Sequence, residues 1–197
     1  MRRDELEELH YITRIENLPS ISERGILSHA RAAAIPHISV AMPEIQDIRA
    51  TKGVPRGRPL HEYVNLYFHA RNPMMWIRLD QHEELCVVRV SPDVLDIPGT
   101  VVTDQNASSK YVRFAMAPDG LAIVDRERTF AEDWRHPDQI TYWRQKSMKC
   151  AEVLVPDRVP TELLTGVYCS CEPSRAAAQA ITSLPCTING HLFFHEA

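Results

Sequence analysis

The sequence predicts an α+β fold in a single domain over residues 1–197, with a helical N-terminal part and mixed or antiparallel sheets. The chain has 197 residues, of which 44% are hydrophobic and 24% charged, and this is enough to bury one self-sufficient core. Short β-rich runs outnumber long helical patterns along the chain. Strand and helix patterns do not alternate regularly, which argues against a parallel α/β sheet.

The first predicted elements are a strand over residues 9–15, LHYITRI, and a helix directly after it. Asn17 could cap this helix, its first turn tolerates Pro19, and Gly25 would end it. The run HEYVNLYF (61–68) is rich in aromatic and β-branched side chains and predicts the next strand. Further strands are predicted at ELCVVRVS (84–91), GTVVT (99–103), GLAIV (120–124), AEVLVP (151–156), GVYCS (166–170) and GHLFF (190–194). The run PSRAAAQAIT (173–182) predicts a helix.

Charge is distributed unevenly along this chain, whose net charge is −4. An acidic average argues against a protein that coats nucleic acid nonspecifically. From Arg49 to Leu79, however, six basic residues stand against one acidic residue, and from Arg135 to Lys149 four stand against one. If these two basic segments meet in space, they form a cationic face suited to a polyanion; the alternative is two solvated loops.

Several classes of protein and of site are not predicted. No run of about 18 apolar residues occurs, so a membrane span is not expected, and the N-terminus does not read as a signal peptide. We therefore expect a cytoplasmic protein with no membrane partner. The five cysteines are an odd number with uneven spacing, which favours reduced thiols. The sequence has no GxGxxG, GxxxxGK[ST], HExxH or GxSxG motif, so the usual dinucleotide, phosphate-loop, zinc-protease and serine-hydrolase sites are excluded.

Polar side chains gather in the first strand and at the start of the first helix. Strand alternation places His10 and Ile12 on one face and Tyr11 and Thr13 on the other. A histidine among core-facing neighbours is more often structural than a ligand, and helix capping alone would explain Asn17. The residues by themselves therefore do not decide between a ligand site and the ordinary start of a fold.

Residues 43–76 combine arginines, aromatic rings and methionines in an irregular segment. Arginine forks bind phosphates in a bidentate manner, and aromatic or thioether groups offer flat contacts to a base or a nicotinamide ring. A dinucleotide site needs both. The alternative is that Tyr63, Phe68 and Trp76 belong to the core and the arginines are solvated.

Glu152 opens a strongly apolar strand, which should be buried on at least one side. A buried carboxylate is costly unless it is paired or functional. At a strand end it could deprotonate a nucleophile, or hold a sugar hydroxyl while a glycosidic bond opens through an oxocarbenium-like state. The alternative is an edge-strand glutamate that faces water.

The C-terminal part holds soft metal ligands, but their spacing is poor for zinc. The CSC pair of cysteines is too tight for a zinc knuckle, and HLFFH lies in a predicted strand. We expect no metal. The residues concerned are Cys169, Cys171, Cys186, His191 and His195.

Four blocks of the sequence, in order, resemble the motif blocks of the DarT family, the toxins of DarT/DarG toxin–antitoxin systems. The blocks are LHYITRIENLPSISERGIL (9–27), PEIQDIR (43–49), VPRGRPLHEYVNLYFHARNPMM (54–75) and AEVLVPDRVP (151–160). The resemblance implies an ADP-ribosyltransferase-like fold, which binds NAD+ in a cleft between sheets without Rossmann glycines. The missing GxGxxG agrees with such a fold.

The resemblance also implies an activity. Members of the family transfer ADP-ribose from NAD+ to a base in single-stranded DNA, usually thymine in a short sequence context, and release nicotinamide. NAD+ would be consumed as a substrate, and the partners would be single-stranded DNA and a DarG-like macrodomain antitoxin. Three alternatives stay open: guanine as the target base, RNA or protein as the acceptor, and a catalytically inactive module that binds NAD+ or nucleic acid.

Carried over block by block, the resemblance assigns roles to individual residues. Glu152 would be the catalytic glutamate, and Arg49 the catalytic arginine near the diphosphate and the acceptor base. The residues implied to line the NAD+ pocket are His10, Thr13 and Asn17. Candidates for packing on nicotinamide or on the flipped base are Tyr63, Phe68 and Met75.

Residues 129–149 precede the glutamate strand, where ADP-ribosyltransferases carry a loop that recognises the acceptor; we call them the acceptor segment. Aromatic rings beside bases are the combination expected for single-stranded nucleic acid. The candidate DNA-binding side chains of this segment are Trp134, Tyr142, Trp143, Arg144 and Lys146.

Overall fold

The computed structural model describes residues 1–195. The strands are β1 (Leu9–Arg14), β2 (Ile26–Leu27), β3 (Tyr63–Tyr67), β4 (Leu85–Val90), β5 (Val101–Thr103), β6 (Phe114–Met116), β7 (Glu152–Pro156), β8 (Arg158–Val159), β9 (Leu164–Cys169) and β10 (Cys186–Ile188). The α-helices are α1 (Leu18–Arg24), α2 (His29–Ala32), α3 (Pro43–Ala50), α4 (Pro73–Trp76), α5 (Arg126–Phe130), α6 (Gln139–Met148) and α7 (Glu172–Gln179).

Eight strands form one sheet in the order β10-β9-β4-β1-β3-β7-β5-β6, and β2 pairs with β8 in a second, two-stranded sheet. Neighbouring strands are antiparallel except β10 and β9, which are parallel. The predicted α+β class is therefore confirmed. Three of the helices, α1 to α3, lie in the N-terminal third, as predicted.

The two faces of the large sheet carry different sets of buried side chains. Leu9 and Leu66 belong to a core cluster that includes Leu18 of α1. Ile12 and Tyr67 belong to a second cluster on the opposite face. Tyr63 and Glu152, which are described below, point to the same face as Tyr67.

The predicted strands at residues 9–15, 61–68, 84–91, 99–103, 151–156 and 166–170 and the predicted helix at 173–182 are confirmed within a few residues. Two strand predictions are wrong, because residues 119–123 and 190–193 form 3-10 turns. In the second turn the consecutive Leu192 and Phe193 are both buried, which a half-exposed strand does not allow.

The sequence signal for α6 is weak for a physical reason. None of its ten residues is buried, so the helix has no apolar stripe. About half of the acceptor segment, which was expected to be a loop, is therefore helical. Helix α3 was also missed, and the remaining missed elements are two to five residues long, too short to produce a periodic pattern.

Candidate active site

A cavity of ≈ 610 Å³ lies between the large sheet and the small sheet. Its walls come from β1 and β3 on one side and from β2, α2 and α3 on the other, and α6 reaches its edge. This volume is within the range of about 300–1,000 Å³ that is typical of small-molecule sites. The predicted cleft between sheets is present, although one of the two sheets is large.

Arg49, which lines this cavity, forms a buried ion pair with Glu152, which lies behind it and outside the lining. The Nη1 atom of Arg49 lies 3.0 Å from Oε2 and 3.3 Å from Oε1 of Glu152. Glu152 is 0% exposed and Arg49 is 5% exposed. The two residues are distant in sequence and were both predicted to be catalytic, and the structure brings them into direct contact.

Glu152 is held by the neighbouring strand as well as by Arg49. Its carboxylate accepts a hydrogen bond from the backbone N–H of Ala107 (3.2 Å), and its own N–H donates to the hydroxyl of Thr103 (3.0 Å). Since β7 lies between β3 and β5, the interpretation of Glu152 as an edge-strand residue facing water is wrong. The carboxylate is fixed in one position before any ligand binds.

Arg49 keeps hydrogen-bonding capacity toward the cavity. Its Nη2 atom is buried and makes no hydrogen bond to residues 1–195. Oε1 of Gln46 is in the same situation, and Gln46 lies three residues earlier on the same face of α3. Both residues line the cavity. Unpaired buried polar atoms cost about 1–3 kcal/mol each, so this wall favours a polar ligand that completes their bonds.

Two tyrosines and a pair of histidines complete the polar surroundings. Tyr67 and Tyr63 line the cavity, and burial, followed by the nearby Glu152 carboxylate, raises the pKa of Tyr67 well above its ordinary value. His29, another lining residue, packs on His61 with ring centroids 4.1 Å apart. Burial lowers the pKa of both histidines, and Arg49 lowers it further. These rings therefore stay neutral at pH 7.

Thr13 and Asn17 line the cavity, as the resemblance implied. The Asn17 amide donates to Oγ1 of Thr13 (3.0 Å) and to the carbonyl of Ile38 (2.8 Å), and it accepts from the Ile38 N–H (3.0 Å). Asn17 occupies the N-cap position of α1, as predicted, but its side chain makes no capping bond to the helix. Asn17 instead fastens the segment that contains Ile38 over the cavity.

Three other predicted ligand contacts lie outside the cavity lining. His10 is 4% exposed; its Nδ1 accepts from the Ala70 N–H (3.0 Å), so Nε2 carries the hydrogen and donates to Glu8 (3.0 Å). Phe68 and Met75 are each 1% exposed in the core. The cavity wall holds neighbours of these residues: Tyr11, Tyr67 and Met74.

The acceptor segment contributes Trp143 and Lys146 to the cavity edge. Trp143 is 60% exposed, so its ring is open to a ligand. Tyr142 and Arg144 also lie on α6 but outside the lining. Trp134 is only 7% exposed and packs edge-on against Trp76 and Phe194, so its ring belongs to a local aromatic cluster.

The two basic segments meet at this cavity, because Arg49 comes from the first and Lys146 from the second. Not every base in them is available: Arg58 pairs with Asp157 at 2.8 Å, and Lys149 is fully buried. The expected cationic face is therefore narrower than the charge count suggests.

The sequence did not indicate Tyr67, Thr103 or the Ala107 N–H. Tyr67 stands in the run HEYVNLYF, where an aromatic ring is ordinary strand composition. Thr103 and Ala107 reach Glu152 only through the pairing of β5 with β7, which no local pattern encodes. Finding Thr103 and Ala107 from the sequence would have required knowledge of how β5 pairs with β7.

Three further findings concern the whole described chain. Within residues 1–195 no helix is long and apolar enough to cross a membrane. The same residues contain no group of three or more His, Cys, Asp or Glu side chains that could hold a metal ion. All five cysteines are free thiols.

Comparison with known proteins agrees with this geometry. The family model described as "ssDNA thymidine ADP-ribosyltransferase, DarT" matches residues 10–194. A DNA ADP-ribosyl transferase of Thermus aquaticus is 34% identical over 170 residues, which are 79% of this chain and 72% of that protein. A DNA ADP-ribosyl transferase–DNA ADP-ribosyl glycohydrolase fusion protein of Thermosipho africanus is 32% identical over 181 residues, which are 83% of this chain.

The chain spans only 42% of the length of that fusion protein. The structure of Thermosipho africanus DarTG in complex with ADP-ribose superimposes with a TM-score of 0.82 at 30% identity, covering 96% of this chain and 51% of that chain. The fold is thus that of an ADP-ribosyltransferase. The match over nearly all of its length shows that this chain belongs to the DarT family of single-stranded-DNA thymidine ADP-ribosyltransferases.

Proposed function

We propose that this chain transfers ADP-ribose from NAD+ to a base in single-stranded DNA, with thymine as the expected acceptor, and releases nicotinamide. The observation that carries the proposal is the buried Arg49–Glu152 pair, 3.0 Å apart, in which Arg49 lines a cavity large enough for a dinucleotide and Glu152 lies directly behind it. A buried charge pair is weak support for stability, so its position beside a ligand cavity favours a catalytic role.

The reaction follows from this geometry. The bond between the ribose C1′ atom and the nicotinamide nitrogen breaks, and its electron pair leaves with nicotinamide. Glu152 stabilises the positive charge that develops at C1′. A ring nitrogen of the base forms the new bond to C1′, and its proton passes to the Glu152 carboxylate and then to solvent. Ala107 and Arg49 Nη1 hold that carboxylate in place.

Arg49 serves both substrates in this scheme. One of its nitrogens orients Glu152, while Nη2 is directed to a diphosphate oxygen of NAD+ or to a carbonyl oxygen of the base. A planar guanidinium presents its donors in a rigid fork and can make both contacts at once. We therefore assign Arg49 and Glu152 as the catalytic pair.

The NAD+ end of the cavity is assigned to Thr13 and Asn17, with Tyr63 as a ring on which the ligand packs. Their presence in the cavity lining supports this assignment. His10, Phe68 and Met75 act from behind the wall in this proposal, because each is buried next to lining residues.

The DNA end is assigned to α6. Trp143 supplies a stacking surface and Lys146 a phosphate contact at the cavity edge, and Tyr142 and Arg144 extend this surface along the helix. Trp134 supports the segment through its packing on Trp76.

A modification of DNA bases in the cell needs a partner that reverses it. One relative carries a DNA ADP-ribosyl glycohydrolase in the same polypeptide, which supports the pairing of a transferase with such an enzyme. We propose that this chain is the toxin of a toxin–antitoxin pair, that its partner is a DarG-like macrodomain protein, and that it works in the cytoplasm, where its DNA substrate is.

The test is mass spectrometry of short single-stranded DNA oligonucleotides, varied in sequence, after incubation with NAD+ and the protein. Glu152→Gln, which keeps the shape of the side chain, is the control. A mass gain of one ADP-ribose on thymine-containing oligonucleotides, absent with the control, is expected. A gain on guanine, RNA or protein alone would redirect the acceptor assignment. NAD+ binding without any transfer or consumption would overturn the enzyme in favour of a binding module.

A further inference from the structure

The two ends of the acceptor segment lie next to each other, and residues between them, such as Trp134, also pack on the body of the protein. The ends of the segment, Thr129 and Lys149, are 20 residues apart in sequence, and Nζ of Lys149 donates to the carbonyl of Thr129 at 3.0 Å. The hydroxyl of Thr129 donates to the carbonyl of Met148 at 3.4 Å. The segment is therefore a closed loop whose base is tied by these contacts.

The side chain that ties the base is unusual because it is a fully buried ammonium. Lys149 is 0% exposed, and its second partner is Nδ1 of His69, at 2.9 Å. An ammonium has no acceptor, so His69 accepts this bond and is neutral. Burial lowers the pKa of Lys149 to about 8, and burial together with Lys149 lowers the pKa of His69 to about 3.

A lysine is almost never fully buried without a carboxylate partner, and an apolar side chain would fill this space at lower cost. The two hydrogen bonds that the ammonium makes are to neutral groups on two different elements. Its contribution is therefore geometric, since it connects parts of the chain that an apolar side chain would leave unconnected.

The connected parts are the DNA surface and the catalytic wall. Lys149 directly follows α6, which carries Trp143 and Lys146. His69 lies two residues after Tyr67 of β3, the strand that pairs with the Glu152 strand. The same ammonium thus joins the helix that carries the stacking surface at the cavity edge to the strand beside the Glu152 strand.

Other contacts do not make this anchor redundant. No residue of α6 is fully buried and five of its ten are half-buried, so the face that holds the helix is only partly packed. Trp134 fixes the first part of the segment by packing on Trp76, and the Asn106 N–H donates to the carbonyl of Ser147 at 3.0 Å. The orientation of α6 therefore depends on its C-terminal end, where Lys149 lies.

We propose that Lys149 is a positioning residue that anchors α6 and thereby sets the affinity of the enzyme for single-stranded DNA. This rests on the proposed function. Lys149 does not touch the substrates in this proposal; it acts through Trp143 and Lys146. Its loss should weaken the binding of DNA while the reaction at Glu152 continues.

The test compares Lys149→Met, which keeps the length of the side chain, with Lys149→Arg and the wild type in the full chain. Two rates are measured: transfer to a single-stranded oligonucleotide over a range of DNA concentrations, and hydrolysis of NAD+ without DNA. Lys149→Met is expected to raise KM for DNA at least about tenfold, with kcat and NAD+ hydrolysis within about threefold of wild type. Lys149→Arg should restore part of the affinity, since its guanidinium also donates to Thr129 and His69.

Two further readouts separate an anchor from a direct DNA contact. Because Lys149 is buried, the salt dependence of KM should keep its slope in Lys149→Met, whereas the exposed Lys146→Met should reduce it by about one unit. Backbone hydrogen exchange in α6 should become faster in Lys149→Met and in His69→Leu. Lys110→Met, which removes an exposed lysine elsewhere, should leave that exchange unchanged.

An unchanged KM with unchanged exchange in α6 would overturn the proposal. A parallel fall of kcat and NAD+ hydrolysis would also overturn it, because Lys149 would then act on Glu152 itself. If the wild type modifies no DNA, the proposed function fails, and the exchange measurement still decides whether Lys149 anchors α6.

Discussion

Tyr67 and Glu152 lie directly opposite each other on the antiparallel strands β3 and β7, so their side chains point to the same face of the sheet. His10 on β1 continues the row, because it is the partner of Tyr67 on the other side. The carboxylate that we propose as catalytic thus belongs to a buried row across three strands. Its environment is set by the register of the sheet.

The buried position of Tyr67 in this row predicts that two substitutions of Tyr67 differ in their effect on the free energy of unfolding. Tyr67→Phe keeps the buried ring and should change the free energy of unfolding by less than about 1.5 kcal/mol. Tyr67→Ala removes a ring that is only 7% exposed and should cost about 3–5 kcal/mol. Urea denaturation measures both, and equal losses would mean that the hydroxyl rather than the ring holds the wall together.

The Arg49–Glu152 pair predicts a non-additive double-mutant cycle. Arg49→Met leaves a carboxylate at 0% exposure without its counter-ion and should destabilise the fold by about 3–5 kcal/mol. Adding Glu152→Gln removes that charge and should recover most of the loss. Denaturation of the two single variants and the double variant checks this, and additive losses would show that the charges do not interact.

The hydrogen bonds between Asn17 and Ile38 predict a specific defect in NAD+ binding. Asn17→Ala removes both hydrogen bonds to Ile38 and should weaken NAD+ by about 1–2 kcal/mol, or about tenfold in KM, with little change in kcat. The Ile38 amide should exchange its hydrogen faster. Thr13→Val removes only the 3.0 Å bond to Asn17 and should have a smaller effect. A larger effect of Thr13→Val than of Asn17→Ala would contradict the role assigned to the bonds between Asn17 and Ile38.

The exposed ring of Trp143 predicts a loss of DNA affinity without a loss of stability. Trp143→Ala should cost about 1–3 kcal/mol of single-stranded DNA binding, which is the usual contribution of one stacked base. Its free energy of unfolding should stay within about 0.5 kcal/mol of wild type, because the ring is 60% exposed. Tyr111→Ala is the matched control, since Tyr111 is 78% exposed and outside the cavity lining. Equal losses of DNA binding in both variants would refute the assignment.

The lowered pKa of Glu8 predicts that the folded protein loses stability in acid. Burial alone would raise the pKa of its carboxyl group, but hydrogen bonds from His10 and Arg89 outweigh burial and lower the pKa from 4.5 to about 2. Because the folded value lies below the unfolded one, the stabilisation is complete above pH 4.5 and is lost as the pH falls toward 2. Urea midpoints from about pH 6 to 3 should therefore fall less steeply in Glu8→Gln than in the wild type and in the exposed neighbour Glu7→Gln. Identical slopes of the urea midpoint against pH in Glu8→Gln and the wild type would show that Glu8 does not cause the acid sensitivity.

The central pair of the site could be predicted from the sequence because each member leaves a local signal. Glu152 stands out as a carboxylate at the start of an apolar strand, and Arg49 lies in a block that resembles the family. The strands that position them also have strong local signals, namely β-branched and aromatic runs bounded by turn residues. The sequence could therefore indicate candidate catalytic residues that stand out within a single local pattern.

The features of the site that the sequence did not predict depend on contacts between residues that are distant in the chain. That Glu152 receives the Ala107 N–H, or that His10 donates toward Glu8 and not into the cavity, follows from strand register and side-chain packing. Helix α6 escaped prediction because its half-buried face is largely polar, so that it has no apolar periodicity. The position of Trp143 at the cavity edge could be known only from the structure.

The absence of buried residues in α6 has an evolutionary consequence. A solvent-facing helix can exchange nearly every side chain without creating a void or a clash in the core, whereas Glu152 and its neighbours cannot change without cost. If α6 contacts DNA as proposed, the DNA-binding surface is thereby free to diversify while the reaction stays the same. Swapping α6 between related enzymes should exchange their preferred sequences on an otherwise untouched scaffold.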